Sequence, residues 1–325
     1  MQSRVRNSRK NIALSGANRQ QHQHITPTTV RTTMMNSMLA SSLRRSLYNT
    51  SKRQLLHTIA VAREIPDSFE SALSEHSKVP DPLAMEVARA QHAKYIQVLR
   101  RHVPVLMLPA LEECPDCVFV EDTAVVVGNK AVITNPGHPT RRGEVESIKM
   151  VLKQLGLDLV DMRISDKAIC DGGDVLYTGR HLFVGLSDRT NKAAAAVLDN
   201  AFDGVETVVV PAVIQGDQVL HLKSAVTHID EHTLVVPTGA AGDAILEAME
   251  AEERGYTAVR VPDFLACNVV AVNGCILVQD TECKESRETL KKAVEERNLK
   301  LEWVDSSELA KKDAALTCCS VLLSV

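Results

Sequence analysis

The sequence predicts an α/β fold, a propeller of five ββαβ units closed by strands from the N- and C-terminal regions. Short β-rich segments occur in pairs joined by tight polar turns, and an amphipathic helical segment follows most pairs. The pairs begin about 43–52 residues apart, a period typical of repeat proteins. Single β-rich segments remain at both ends of the repeat region. We therefore expect one radial domain.

The hairpins define the repeat. Four are predicted, at 122–127 with 131–134, 173–177 with 181–185, 224–229 with 233–237, and 268–272 with 275–279. The Asn273-Gly274 turn of the last pair is the strongest hairpin signal. A fifth pair is expected between 57–62 and 318–325, because radial closure leaves no long exposed sheet edge.

The helices between the hairpins are marked by apolar residues at helical spacing. Two such faces are Val145, Ile148, Val151, Leu152 and Leu155, and Leu290, Ala293 and Val294. A further helix is expected to begin after an N-cap at Asp243, to run toward Glu253 and to stop at Gly255.

Charge is distributed unevenly along the chain. Residues 1–60 contain ten Lys or Arg and no acidic residue, so the remainder carries all 41 acidic residues. We expect a disordered basic leader over 1–55 and a catalytic domain over 56–325. The Ser-rich, acid-free leader is typical of a mitochondrial transit peptide. The alternative is a leader without a targeting signal, on a cytoplasmic protein.

The acidic domain restricts the class of partner. Nucleic-acid binding depends on Lys and Arg contacts to phosphate, so nucleic acid is not expected. An acidic cavity would instead attract a cationic small molecule. The sequence contains no apolar stretch of about 18 residues, so a membrane partner is not expected either.

The eight cysteines are interpreted as free thiols in a reducing compartment. Cys114 and Cys117 have C-x-x-C spacing, but no second Cys or His pair lies where a zinc site would need it. A structural role is favoured for this pair, with a metal or redox role as the alternative.

Reactive residues occur where predicted inner strands begin. They are Glu121 and Asp122, Asp171 and Asp174, His221, and Cys318. Equivalent strand starts converge around the axis of a radial array, so these side chains should share one pocket. A Cys, a His and an acid are the parts of a nucleophilic centre. Additional carboxylates, including Asp116, suit a planar guanidinium.

At these residues the chain resembles the dimethylarginine dimethylaminohydrolases, members of the pentein superfamily of guanidino-group-modifying enzymes. The motifs are DCVFVED at 116–122, DGGD at 171–174, GLSDRTN at 185–191, LHLKS at 220–224 and LTCCS at 316–320. The resemblance runs in order from about Thr58 to Val325 and leaves residues 1–55 outside. That family has a five-bladed ββαβ propeller.

The resemblance implies hydrolysis of asymmetric dimethylarginine and monomethylarginine to citrulline and dimethylamine or methylamine, through a covalent Cys thiouronium. It implies Cys318 as nucleophile, His221 as general acid and base, and Asp171 as the acid that orients His221. The implied substrate contacts are Glu121 and Asp122 to the guanidinium, Arg141 and Arg189 to the carboxylate, Asp116 to the α-amino group, and Leu73 in a lid loop.

No cofactor or metal is expected to be required, although Cys318 and His221 are good zinc ligands and could bind an inhibitory zinc ion. The expected partner is a cationic amino acid, and the expected state is a monomer or weak homodimer. Two alternatives are another pentein enzyme, either an arginine deiminase or an amidinotransferase, and a non-catalytic regulatory relative.

Two positions depart from related sequences. Lys312-Asp313-Ala314 stands where the resembled family commonly has Val-Asp-Gly, which is expected to change the pocket rim. Lys223 stands where related arginine deiminases have an Asp that anchors the guanidinium, which argues against deimination of free arginine.

Overall fold

Short strands and helices alternate in the computed structural model, which describes residues 56–74 and 82–324 except 212, 215, 216 and 219. The predictions for the leader at 1–55 and for the distal part of the Leu73–Lys78 lid loop lie outside the described residues. Among the described residues, no helix is both long and apolar enough to cross a membrane.

The strands are Ile59–Arg63 (β1), Val105–Leu108 (β2), Ala124–Val127 (β3), Lys130–Ile133 (β4), Asp158–Asp161 (β5), Val175–Tyr177 (β6), His181–Leu186 (β7), Glu206–Pro211 (β8), Val213–Ile214 (β9), Asp217–Gln218 (β10), Thr227–Asp230 (β11), Thr233–Pro237 (β12), Thr257–Val261 (β13), Val269–Val272 (β14), Cys275–Gln279 (β15), Lys300–Val304 (β16) and Val321–Leu323 (β17). The α-helices are Met85–Leu99 (α1), Val145–Gln154 (α2), Lys192–Ala201 (α3), Ala240–Ala248 (α4), Lys284–Glu295 (α5) and Ser307–Ala310 (α6).

The described strands form five three-stranded sheets and a two-stranded β9–β10 ribbon. In each large sheet the middle strand pairs antiparallel with an inner strand and parallel with an outer one. β4, for example, pairs antiparallel with β3 and parallel with β5. Parallel pairing requires a crossover, which α2 supplies here. This arrangement is the predicted ββαβ unit.

The fifth sheet joins the two ends of the repeat region. β1 pairs antiparallel with β17, with Ile59 opposite Leu323, and parallel with β2. The prediction of five ββαβ units closed by terminal strands is therefore confirmed.

A short 3₁₀ turn precedes each inner strand. These turns span Val120–Thr123, Gly172–Asp174, Leu222–Ser224, Leu265–Cys267 and Leu316–Cys319. The predicted starts of the inner strands were consequently one to three residues early, and β17 begins at Val321 rather than at Cys318. The reason is an i→i+3 backbone hydrogen bond, such as Cys318 N–H to Ala315 C=O at 3.2 Å, which keeps the turn from extending into the ladder.

The predicted N-cap at Asp243 is wrong. α4 begins after Gly239, whose φ of 76° suits glycine, and Asp243 lies inside the first turn. Its carboxylate instead pairs with Arg260 at 2.7 Å. The helix also ends at Ala248, well before Gly255.

The predicted apolar faces pack against the sheets. Val145, Ile148 and Leu152 of α2 are fully buried against the β3–β4–β5 sheet. Leu290 and Val294 of α5 are buried in the same way against the β14–β15–β16 sheet. Because the apolar core lies between sheets and helices, the polar turns before the inner strands are left to surround the axis.

Candidate active site

The turns line a cavity that is partly open to solvent. Its lining residues are Leu73, Asp116, Phe119, Asp122, Arg141, Asp171, Arg189, Leu220, His221, Lys312, Asp313, Ala314 and Cys318. Every predicted site residue except Glu121 and Asp174 is in this set. The convergence expected from their equivalent positions in the repeat is therefore present.

His221 and Asp171 form a buried pair on one side of the cavity. His221 Nε2 lies 3.0 Å from Asp171 Oδ2. The other carboxylate oxygen of Asp171 accepts a hydrogen bond from Gly137 N–H at 2.8 Å. The Asp171 backbone N–H donates to Thr190 Oγ at 3.1 Å. These two hydrogen bonds hold Asp171 in place, so its Oδ2 has a fixed orientation toward the imidazole.

Asp122 faces the other nitrogen of the same imidazole. Its Oδ1 lies 3.9 Å from His221 Nδ1 and accepts the Gly173 N–H at 2.8 Å. Its Oδ2 accepts from Arg141 Nη1 at 2.5 Å. Burial favours the neutral acid, but His221 and Arg141 outweigh it and lower the pKa of Asp122 to about 2. Asp122 therefore carries a negative charge at neutral pH.

The surrounding carboxylates also control His221. Burial alone would lower the pKa of His221, but Asp122 and the Asp171 hydrogen bond raise it to about 9. The imidazole is therefore protonated at neutral pH and can donate a proton. The folded state holds this proton more tightly than the unfolded chain does. The contribution of His221 to stability is thus complete below about pH 6.5 and is lost as the pH rises through 9.

We predict that the ring protons of His221 titrate near pH 9 in NMR spectra of the substrate-free protein, with the resonance assigned by its loss in His221→Gln. In Asp171→Asn the midpoint should fall by about 1 unit or more, because a carboxylate that stabilises the imidazolium is removed. A wild-type midpoint near 6.5, or an unchanged midpoint in Asp171→Asn, would contradict this electrostatic account.

The Asp-Gly-Gly-Asp motif is explained by close approach between turns. A Cβ on Gly172 would lie 2.1 Å from the Glu121 carbonyl oxygen, and one on Gly173 would lie 2.5 Å from His221 Nδ1. Asp174, which was expected to share the pocket, is not among its described lining residues; it accepts from Leu222 N–H at 2.9 Å and from Ser187 Oγ at 2.6 Å. It thereby holds the turn that follows His221.

Arg141 is buried between two acids. Its Nε and Nη2 donate to the two carboxylate oxygens of Glu144 at 3.1 and 2.8 Å, while Nη1 donates to Asp122. Arg141 thus holds Asp122 in place, and its predicted contact with a substrate carboxylate stays a prediction. Glu144 was not predicted as a site residue, although its i,i+3 spacing from Arg141 is typical of an ion pair.

Arg189 lies on a tightly packed part of the wall. Its backbone N–H donates to Ser187 Oγ at 3.0 Å. A Cβ on Gly137 would lie 2.6 Å from the Arg189 Cα, so only glycine allows this approach. Because Gly137 also binds Asp171, the Arg189 backbone is fixed relative to the His221–Asp171 pair.

Glu121 is directed away from the Cys318 cavity. Its carboxylate pairs with Lys223 Nζ at 2.6 Å and accepts from Thr317 Oγ at 3.0 Å. These residues line a second cavity, also partly open to solvent, that reaches His57 and His228. The predicted contact of Glu121 with the substrate guanidinium stays a prediction.

Cys318 is a buried thiol, 9% exposed. Burial, and then the negative charges of Glu121 and Asp122, raise its pKa well above the usual value, so the thiol is neutral without a bound cation. Cys319 is 1% exposed and is not among the described residues that line the cavity. All eight cysteines are free thiols.

A potential metal-ligand group lies in the same cavity. Asp122, Asp171 and His221 each offer a ligand atom, and these atoms lie within 4.8 Å of one another. Cys318 is not part of this group among the described residues, so zinc binding by Cys318 and His221 stays a prediction.

Lys312 connects two walls of the cavity. Its ammonium donates to the carbonyl oxygens of Glu70 at 2.7 Å and Ala72 at 3.2 Å. The adjacent Leu73 N–H donates to Asp116 Oδ1 at 3.1 Å. Lys312 stands where the resembled family commonly has Val. Its two hydrogen bonds therefore help to hold the Leu73 segment against Asp116.

We predict that Lys312→Val raises KM for the substrate about fivefold, because losing charged hydrogen bonds costs roughly 1 kcal/mol. The value of kcat should stay within twofold, since the described hydrogen bonds of the Lys312 ammonium go to the Glu70 and Ala72 carbonyls and not to His221 or Asp171. Lys311→Met is the matched control, because the Lys311 ammonium pairs with Glu308 at 2.9 Å. Equal KM values for Lys312→Val and the wild type would refute this link.

Comparisons with known proteins agree with these motifs. The model of the eukaryotic N,N dimethylarginine dimethylhydrolase family matches residues 67–275. The N(G),N(G)-dimethylarginine dimethylaminohydrolase of Streptomyces coelicolor is 33% identical over 252 residues, which cover 77% of this chain and 89% of the relative. The enzyme of the same name from Pseudomonas aeruginosa is 29% identical over 268 residues, covering 80% and 95%.

Solved structures share the fold. A Cys-to-Ser mutant of the Pseudomonas aeruginosa enzyme complexed with citrulline has a TM-score of 0.71 and 24% identity, covering 82% of this chain and 100% of that one. A His-to-Gly mutant of a dimethylarginine dimethylaminohydrolase, as an adduct with S-methyl-L-thiocitrulline, has a TM-score of 0.70 and 26% identity over the same shares.

Proposed function

Because the chain belongs to the dimethylarginine dimethylaminohydrolase family, and is thus a pentein-fold hydrolase of guanidino C–N bonds, we propose that its substrates are asymmetric dimethylarginine and monomethylarginine. The products are citrulline and dimethylamine or methylamine. The observation that carries the proposal is the single cavity in which Cys318, the His221–Asp171 pair and the ionised Asp122 meet.

Charge explains how the neutral Cys318 becomes a nucleophile. A guanidinium that enters beside Asp122 brings a positive charge close to the thiol, which favours the thiolate; because His221 is already protonated, the thiol proton is released to solvent. The thiolate adds to the guanidinium carbon. The C–N bond to the methylated nitrogen then breaks, and His221 gives its proton to the departing amine.

The second half of the reaction regenerates the enzyme. His221, now neutral, removes a proton from water, and the resulting hydroxide adds to the carbon of the thiouronium. The C–S bond breaks, Cys318 leaves as thiolate and takes up the hydroxyl proton of the intermediate, and neutral citrulline is released, which restores the resting thiol. Asp171 keeps the imidazole in one orientation through both proton transfers, by its 3.0 Å hydrogen bond.

The Lys223–Glu121 ion pair favours methylated substrates over free arginine. Lys223 neutralises Glu121 at 2.6 Å and occupies one oxygen of its carboxylate. Fewer hydrogen-bond acceptors then remain for the substrate. An unmethylated guanidinium has more N–H groups than a dimethylated one and would need more acceptors.

The direct test is incubation of the purified protein with asymmetric dimethylarginine, monomethylarginine or arginine, followed by assays for citrulline, alkylamine and ammonia. We expect citrulline and an equal amount of dimethylamine or methylamine. Ammonia and citrulline from arginine at a comparable rate would identify a deiminase instead. Absence of all products would indicate a non-catalytic relative.

We predict that Arg189→Ala raises KM for methylarginines about 30-fold or more, because truncating one partner of a buried charge pair costs about 2–5 kcal/mol. N,N-dimethylagmatine, which lacks the carboxylate, should be affected much less. Arg142→Ala is the control, since Arg142 is exposed and donates only to Pro136 C=O among the contacts seen. Equal losses with both substrates would make Arg189 a structural residue.

A further inference from the structure

Four side chains form a closed polar ring around the axis, which we call the axial ring: Glu121, Lys223, Asn268 and Thr317. Asn268 Nδ2 donates to Lys223 C=O and to Thr317 Oγ, both at 3.0 Å. Thr317 N–H donates back to Asn268 Oδ1 at 3.0 Å. Thr317 Oγ donates to Glu121, and Glu121 pairs with Lys223, which closes the ring.

Three members of the axial ring are next to, or within two residues of, a reactive side chain. Glu121 precedes Asp122, Lys223 follows His221 by two residues, and Thr317 precedes Cys318. Asn268 comes directly after the Leu265–Cys267 turn, which carries none of the predicted reactive residues. The contribution of this fourth repeat is therefore an amide that joins two turns with reactive residues.

The chemistry of this position requires an amide. Asn268 is 2% exposed, and both its N–H groups and its carbonyl oxygen are used. A carboxylate could not donate, and an ammonium or guanidinium could not accept. Because Asn268 donates to Thr317 Oγ, the hydroxyl hydrogen is directed to Glu121, and each hydrogen bond of the ring has one direction.

We infer that Asn268 is a positioning residue that fixes the Cys318 turn relative to the His221 turn. It is not among the described residues lining the cavity, so it acts through Thr317 rather than on the substrate. This inference rests on the proposed role of Cys318 as nucleophile. It also places Thr317 in the same function, as the residue that transmits the position of Asn268 to the backbone of Cys318.

The test compares Asn268→Ala, Thr317→Val and Thr317→Ser in the full-length protein. In Asn268→Ala and Thr317→Val, kcat should fall at least tenfold while KM stays within threefold, because a displaced nucleophile slows chemistry more than binding. Thr317→Ser keeps the hydroxyl and should retain at least half of kcat. Gln279→Ala is the control, since Gln279 is an equally buried amide that bonds Ser306 and no catalytic turn.

A second measurement does not depend on turnover. Alkylation of Cys318 by iodoacetamide, followed by mass spectrometry, should be at least threefold faster in Asn268→Ala and Thr317→Val, because a loosened turn exposes the thiol. Unchanged alkylation or unchanged kcat in these variants would overturn the inference. If the wild type makes no citrulline, the proposed function fails, while the alkylation rates still decide whether the axial ring holds Cys318. If Asn268→Ala does not fold, Thr317→Val decides.

Discussion

Cys318→Ser is expected to lower turnover of asymmetric dimethylarginine at least about 10⁴-fold, because removing a nucleophile removes the covalent route altogether. Cys319→Ser should stay within about threefold of the wild type. Burial and the nearby Glu121 and Asp122 carboxylates raise the pKa of Cys319 to about 12. Unlike Cys318, Cys319 is not among the described residues that line the cavity, so a bound guanidinium would not activate its thiol.

The pair of variants separates two adjacent residues of the same type. Kinetics with asymmetric dimethylarginine give the activity, and mass spectrometry of acid-quenched enzyme during turnover should place the covalent adduct on Cys318. Equal losses in both variants, or an adduct on Cys319, would overturn the assignment of the nucleophile.

The fold was predictable because each unit of its repeat is marked by local sequence patterns. Paired β-rich segments, tight turns such as Asn273-Gly274 and helical apolar faces recur at one period, and each constrains the backbone locally. The closing β1–β17 pair followed from the need to cover a sheet edge. The 3₁₀ turns were missed, because segments such as 120–123 and 316–319 contain β-branched residues beside the strand that follows and have no Gly or Pro to mark a turn.

The site was predictable only as a set of positions. Its members occupy equivalent places in the repeat, so their convergence followed from the fold, but the direction of each side chain did not. Glu121 and Asp122 are adjacent in sequence, yet Glu121 faces Lys223 and the second cavity, whereas Asp122 faces His221. A 3₁₀ turn separates neighbouring side chains by about 120°, and this separation became apparent only with the structure.

Supporting residues were harder still to identify. Asp174 and Asn268 act through partners that are distant in sequence, such as the Lys223 carbonyl 45 residues from Asn268. No spacing rule connects such partners. The structure reveals them because each is a buried polar group that needs hydrogen-bond partners, so its contacts show which turn it holds.

Gly173→Ala is expected to lower kcat/KM about a hundredfold or more, through a single added methyl group. Gly173 has no positive φ, so alanine is compatible with its backbone and the effect is purely steric. The new Cβ would lie 2.5 Å from His221 Nδ1 and 2.9 Å from Asp122 Oδ1. The imidazole must move, and a displacement of about 1 Å in a catalytic group can cost on the order of a hundredfold.

Gly143→Ala is the matched control for this substitution. A Cβ at Gly143 meets only the Cys114 thiol, at 3.3 Å, and that side chain can yield by a few tenths of an ångström. Activity of Gly143→Ala should therefore stay within threefold. Gly173→Ala should also shift the NMR titration of His221, because the ring leaves its place between Asp122 and Asp171. If Gly173→Ala keeps more than a tenth of wild-type activity with an unshifted His221 titration, the tight fit between the Asp-Gly-Gly-Asp turn and the imidazole is not what positions the catalytic base.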